Sequence, residues 1–416
     1  MARLTPNKGG RHVGRPPSAL ARRSTPKPRG WDGAEALHLD MHARSMLPFG
    51  PEPLTDAERV ESWREMIATC DRFYAAHMEL GIHLLRTGSE REGRAHLSRG
   101  LVDLLKLPEH SEEEVRALVE NLERTWRYDV CRSLLERVVE RWPGTAWYHD
   151  SLALAAARTG DFASAIASGL RALDLEPGSA PLSNLGFYAL MAGRLDEAGD
   201  YLERALSEEP KHGQARENLR VLRYLRKHGG RYADYLVRPA QRDALDKLAN
   251  KEDWGALERR CADLNGCRFE AFAQDALDRG EIVPLPGMLS TLRVLFGFVA
   301  EVSADAYFLY EDVAFMRRAF EKVMNKLIFK FRDANADLVR EVCSALRVFY
   351  DFLQRKGLAS ARDVGAFGRL SVALGGKLVR RATRYATARR DPSLGEDQLE
   401  AIRAELFGGD YLWPHI

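Results

Sequence analysis

The sequence predicts an all-α protein: a solenoid of helical hairpins, followed by a separate C-terminal helical domain and preceded by a disordered basic tail. Three observations carry this. Leu152, Ala153, Gly160, Ala165, Ala172 and Pro177 recur 33 positions later as Leu185, Gly186, Gly193, Ala198, Ala205 and Pro210. From residue 288 onward apolar residues keep helical spacing without that repeat, as in Phe315, Ala319, Phe320, Val323, Leu327 and Phe331, and again in Leu338, Val342, Leu346, Phe349 and Leu353. No stretch alternates polar and apolar residues as a half-buried strand would.

Residues 1–53 read as disordered tail and linker, because residues 1–30 hold eight Lys/Arg, no acid and almost nothing to bury. Order is expected after Pro53, where Thr55-Asp56-Ala57-Glu58 forms a capping box: the Thr55 hydroxyl accepts an orphan N–H and Glu58 reaches back. Ser111-Glu112-Glu113-Glu114 offers a second. Residues 54–228 carry the repeats, closed by a polar capping helix over 213–228. The repeated residues have a physical logic. Two antiparallel helices cross closely only where Ala or Gly removes side-chain bulk; Gly ends the first helix and Pro stops the second.

Two weaker copies precede these. Leu118, Val119, Trp126, Cys131, Val138 and Pro143 lie 34 positions before the same slots, and Leu80, Gly81, Gly88, Gly93 and Gly100 keep the internal spacing. Pro143 to Leu152 is nine residues and Pro177 to Leu185 only eight, so the residue missing from the last period falls in the turn between hairpins. Residues 229–287 read as connecting helices, with Asp253-Trp254-Gly255-Ala256-Leu257 placed to open the second helix of a degenerate hairpin. Residues 288–416 form the basic C-terminal helical domain.

The pattern resembles the tetratricopeptide repeat over about 74–228, most specifically over 146–212. That resemblance implies a non-enzymatic scaffold whose first helices line a concave groove for a protein partner, as part of a complex. Carried over by position, the lining residues are Trp147, Asp150, Leu154, Ala157 and Arg158, then Ser183, Asn184, Phe187, Leu190 and Met191. Some family members grip a carboxylate with paired Lys and Asn at these places. Here Asp150, Leu154, Ser183 and Phe187 stand there, with Asn184 the exception, so the groove is expected to suit an amphipathic helix or this chain's own C-terminal domain.

The net charge of +2 hides a segregation. Residues 1–30 carry +8, residues 315–390 carry +12 and residues 391–416 carry −5, leaving −13 on residues 31–314. Such asymmetry points to DNA or RNA, to an acidic partner, or to docking of one part on another. Arg318, Lys322, Lys326 and Lys330 recur every four residues, about 6 Å apart along a helix axis, a spacing that tracks a phosphate backbone. Lys377, Arg380, Arg381 and Arg384 share one face of a helix whose Leu378, Val379, Ala382 and Tyr385 pack inward. In the tail, Gly14-Arg15-Pro16-Pro17 resembles an AT-hook core, with Val13 where the hook has Arg; a tail binding phosphates without sequence choice is the simpler reading of Arg15. A solvated charged face remains the alternative for both helices.

Other classes find little support. Five cysteines without framework spacing suit reduced thiols in a cytoplasm. The N-terminus lacks a signal-peptide core, and the most apolar stretch, Val283 to Ala300, holds two prolines and Arg293, so no membrane span is expected. His38, Asp40 and His42 are metal-ligand types in what reads as an extended segment, with no supporting cluster. There is no P-loop, no GxGxxG after a strand and no GxSxG. No enzyme activity and no cofactor are expected.

Overall fold

A computed structural model describes residues 30–46, 54–107, 111–281, 285–302, 307–330 and 336–407. Among the described residues are nineteen helices and no strand. The chain divides into two compact units, residues 1–80 and 81–416.

The first unit holds α1 (Trp31–Met46), α2 (Asp56–Thr69) and the start of α3 (Tyr74–Thr87). Helix α1 lies inside the stretch expected to be tail and linker. Its cause is a short apolar face, Trp31, Ala34 and Met41 at helical spacing, with the Trp31 ring edge-on to Phe73 at 5.1 Å. The capping box at the head of α2 forms as expected: Thr55 Oγ1 accepts from Glu58 N at 3.3 Å, and Thr55 N donates to Glu58 Oε2 at 2.8 Å.

The second unit continues α3 and adds the hairpin partners α4 (Glu90–Leu104), α5 (Ser111–Arg124), α6 (Tyr128–Arg141), α7 (Ala146–Arg158), α8 (Phe162–Leu175), α9 (Ser179–Met191) and α10 (Leu195–Glu208). The small residues sit where the helices cross. Ala165, Ala198 and Ala205 are fully buried. A Cβ on Gly186 would lie 2.6 Å from Leu202 Cγ, and one on Gly93 3.0 Å from the Gly81 carbonyl oxygen. The connections between hairpins confirm the count. Four residues separate α6 from α7, but only 176–178 separate α8 from α9.

One backbone device closes each hairpin. The N–H of Ser89 bonds to Leu84 O at 2.9 Å, Arg127 to Leu122 at 2.8 Å, Asp161 to Ala156 at 2.9 Å and Arg194 to Ala189 at 2.9 Å. This six-residue closure needs a left-handed residue just before the donor. Gly88, Gly160 and Gly193 supply it at φ 95°, 83° and 75°, whereas Trp126 takes it at φ 59°. The same bond recurs from Asp253 to Leu248 at 3.0 Å, with Glu252 at φ 55°. Asp253 then caps the next helix through Ala256 N at 3.2 Å, as Asp161 caps α8 through Ser164 N at 3.1 Å. The degenerate hairpin read at residues 253–257 is therefore present.

Beyond α10 come α11 (Gly213–His228), α12 (Tyr232–Leu236), α13 (Arg242–Asn250), α14 (Trp254–Asp278), α15 (Leu285–Val302), α16 (Val313–Lys330), α17 (Ala336–Arg355), α18 (Ala361–Arg390) and α19 (Glu396–Phe407). One apolar cluster runs from Leu182 to Phe407, so the last repeat and the C-terminal helices share a core. Phe296 stacks on Tyr310 at 4.1 Å, with Phe269 and Phe349 against it. Arg268 is fully buried at the junction. Its guanidinium donates to Glu311 Oε2 at 2.6 Å and to the carbonyls of Leu236 and Arg238, each at 2.7 Å, tying α14 to the end of α12. No helix among the described residues is long and apolar enough to cross a membrane.

Candidate functional site

Helix α9 packs against both α7 and α11 along the repeats. A polar ladder links the three. Asn184 Nδ2 donates to Asp150 Oδ2 at 2.7 Å, the Tyr188 hydroxyl donates to Asp150 Oδ1 at 3.0 Å, and Gln214 Nε2 donates to Asn184 Oδ1 at 3.4 Å. Burial lifts the Asp150 carboxyl above its ordinary range, opposed by the Tyr188 and Asn184 hydrogen bonds. Leu154 and Met191 pack on the alanine-rich core between hairpins, and Ser183 is buried. Trp147 is half-buried, with the Arg116 guanidinium 5.0 Å from its ring centre.

Arg158 and Phe187 face this chain's own helices. Arg158 Nη1 donates to Glu270 Oε1 of α14 at 2.8 Å, and Gln274 Nε2 of α14 donates to the Arg158 carbonyl at 2.9 Å. The Tyr232 hydroxyl of α12 donates to the same Glu270 oxygen at 2.8 Å, and its ring meets Phe187 edge-on at 5.4 Å. The Arg158 guanidinium also sits 4.9 Å from the Trp126 ring centre and 5.4 Å from that of Phe187. Burial works against its charge, and Glu270 and the neighbouring tyrosines hold its pKa above the ordinary value. The sequence offered an amphipathic helix or the C-terminal domain from residue 288 onward as occupants; what covers this part of the groove is neither of these but α12 and α14, from the connecting stretch 229–287.

Glu123, at the end of α5, escaped the sequence reading. Burial pushes its carboxyl up to about 7 against a hydrogen bond from Ser151, and the nearby Asp150 and Glu120 add to the rise. Nothing in the sequence separates it from the exposed glutamates of the same helix. Its depth depends on how α7 packs.

The basic residues divide. Arg318 and Lys322 are exposed on α16, and Arg380 is exposed on α18. Lys326 is 1 % exposed and belongs to the core. The side chain of Lys330, and Arg15 with the rest of the tail to residue 29, lie outside the described residues. Glu321 joins the two helices: Lys377 Nζ donates to its Oε1 at 2.9 Å and Arg381 Nη1 at 3.0 Å, while Arg381 also reaches Asn325 Oδ1 at 2.8 Å. The Lys377 hydrogen bond is the chief reason that Glu321 stays below the usual carboxylate range. Arg384 forks onto Glu405 of α19 at 2.6 and 2.7 Å. Arg318, Lys322, Lys377 and Arg381 thus flank or contact one carboxylate where α16 and α18 meet.

His38, Asp40 and His42 lie in α1, not in an extended segment, and the two imidazoles contact at 4.3 Å. Burial, then the neighbouring His42, lowers the His38 pKa. No group of three or more His, Cys, Asp or Glu among the described residues is placed to hold a metal ion. None of the five cysteines is in a disulfide.

No family model matches the chain, and no curated protein matches it. Among solved structures, the tetratricopeptide domain of P58(IPK) aligns over 86% of this chain and 92% of that one, at 12% identity and a TM-score of 0.25. At that score the likeness adds nothing to the fold. The repeated helical hairpins, with their small-residue crossings and shared turn closure, are tetratricopeptide-like in their own right.

Proposed function

From tetratricopeptide-like hairpins as the premise, we propose that this chain is a non-enzymatic adaptor, in which the repeats hold a protein partner and the α16–α18 face contacts DNA or RNA. Solenoids of this kind present extended surfaces instead of reaction centres. The protein-binding part is assigned to the inner face near Trp147, Asp150 and Asn184, away from the stretch that α12 and α14 cover. The divisions at 228/229 and 287/288 are proposed as divisions of role, since the core itself is shared. A cytoplasmic setting belongs to the same proposal and is supported by the free thiols.

The nucleic-acid part is supported by one observation above the others, the meeting of two cationic rows at Glu321. Arg318 and Lys322 on α16 and Lys377, Arg380 and Arg381 on α18 then present positive charge from adjoining helices. Fluorescence anisotropy with labelled single- and double-stranded DNA and RNA, across a salt series, tests it. Arg318→Glu/Arg380→Glu should weaken binding about tenfold or more at low salt. It should also flatten the logarithmic salt dependence by about 2, one per phosphate contact removed. Charge reversal at Lys326 is not an alternative variant, because a buried site would unfold first.

A specific observation favours a second reading. Glu405 takes Arg384, and Glu321 takes Lys377 and Arg381. On that reading the basic helices serve docking within a protein-only scaffold. Absence of binding to every nucleic acid at 20 mM salt, taken as roughly the low-salt limit where phosphate contacts are strongest, would favour it.

A further inference from the structure

A cleft of about 920 Å³ opens between α11, the link from α12 to α13, and α14. It lies apart from the repeat groove and from the α16–α18 face. Arg220 of α11, Arg238 of the link, and Arg259 and Arg260 of α14 all line it. Two carboxylates share the cleft. Glu217 pairs with Arg220, and Asp263 takes Arg238 at 2.5 Å. Arg238 is also fixed by its contact with the Tyr235 ring, 3.8 Å from the ring centre, and by donation to Cys267 Sγ at 3.1 Å. Arg259 and Arg260 are exposed, and no carboxylate among the described residues pairs with either. The two pairs neutralise each other, so the cleft keeps an excess of about two positive charges.

Shape and chemistry narrow the occupant. A concave cavity of this volume is at the upper end of the range that holds a small molecule and is too small to seat a duplex or a folded domain. Guanidinium forks match phosphate oxygens two at a time, which makes arginine the side chain of choice for such groups. The floor is apolar, with Leu245 and Leu264 buried beneath it, so the anion would be partly withdrawn from water. One wall carries the Tyr224 ring, tilted against His228 at 4.5 Å and edge-on to Tyr235 at 5.3 Å. We propose that this cleft binds a small compound bearing two or more phosphate groups, held between Arg259 and Arg260 on one side and Arg220 on the other.

Free pyrophosphate and a nucleoside triphosphate share this chemistry, and calorimetry separates them. The full chain is titrated at low salt with pyrophosphate, with inorganic tripolyphosphate, with adenosine triphosphate and with adenosine. Saturable one-to-one binding of any of the phosphate compounds, with none of adenosine, is the expected result. Equal affinity of adenosine triphosphate and inorganic tripolyphosphate would make phosphate alone the determinant, and tighter binding of the nucleotide than of tripolyphosphate would bring in the aromatic wall. Arg259→Ala/Arg260→Ala, on an exposed stretch, should keep native helicity by circular dichroism and weaken binding about tenfold or more, since each charge-assisted contact removed is worth that much. Arg318→Ala, on α16, should change nothing. Arg220→Ala gives an independent reading from the opposite wall, should the double variant lose helicity. No binding of any of the phosphate compounds, or binding unchanged in both sets of cleft variants, overturns the proposal.

Discussion

Glu123 and Trp126 stand three residues apart, and each keeps a state that its residue type resists. The Glu123 carboxyl, at about 7, holds its proton well above the ordinary 4.5 because burial opposes the charge. The folded chain therefore binds this proton more tightly than the unfolded chain does. Its contribution to stability is fully present below about pH 4.5, falls as pH rises to about 7 and levels off above that. Glu123→Gln, which keeps an acceptor for Ser151, should remove that fall and stabilise the protein at pH 8 by about 1–3 kcal/mol, with little effect at pH 4. Urea melts across that pH range measure it. Trp126 occupies the left-handed turn position that glycine fills at 160 and 193. The strain costs about 1 kcal/mol, but the ring takes the Arg158 guanidinium on its face and meets Tyr128 edge-on at 5.4 Å. Trp126→Gly should thus be destabilising by about 1–3 kcal/mol despite the relieved backbone, and Trp126→Ala should be worse by about 1 kcal/mol more. The alignment of repeats already placed Trp126 in the glycine slot. What it could not supply was the cation from the next hairpin that makes the exchange tolerable. Lys326 shows the opposite limit. A step of four residues drifts about 40° around a helix, so the row that starts exposed at Arg318 has turned about 80° by Lys326. There α16 is buried nearly all round, as Val323, Met324, Leu327 and Ile328 show.

At the scale of the element, the hairpins were legible because their signals are local. A glycine that turns the chain, an alanine that lets helices touch and a proline that stops the second helix all act within one period. The shortened connection at 176–178 was readable for the same reason. Gly186 offers a direct test. A Cβ there meets Leu202 at 2.6 Å, with the Ala198 carbonyl oxygen at 3.4 Å. Leu202 is itself fully buried and has little room to retreat. Gly186→Ala should cost about 1–3 kcal/mol by overpacking, even though alanine is the better helix former by about 1 kcal/mol. Gly144→Ala, in the connection after α6 where nothing lies within 4 Å, should be close to neutral. Guanidinium unfolding of the two variants side by side separates packing from propensity. Helix α1 was missed because its apolar face is only three residues wide and follows a run of cations, so composition outvoted spacing.

At the scale of the whole molecule, the repeats are met by residues from about 45 to more than a hundred positions away, which no local pattern encodes. Arg158 closes on Glu270 and Tyr232 in a site where its own Nε has no partner and Gln274 reaches the Arg158 carbonyl. Sequence reasoning named an apolar groove and offered the C-terminal domain as its internal occupant, whereas the residues found there belong to α12 and α14 of the connecting stretch. It could not say that a single carboxylate on α14 would match the one cation among the groove positions. This pair ties the repeats to α14, and the cluster from Leu182 to Phe407 continues from there through the C-terminal helices, so the two regions are expected to depend on each other. Glu270→Ala leaves a buried guanidinium and the Tyr232 hydroxyl without their acceptor and should cost about 2–4 kcal/mol. Arg158→Met/Glu270→Leu, which removes both charges and fills the space, should recover most of that loss. If the two regions are coupled as described, hydrogen exchange will show Glu270→Ala lowering protection in α7 and α9 as well as in α14. Loss confined to α14, with the repeats unchanged, would mean that the hairpins stand alone and that the contact only rests on them.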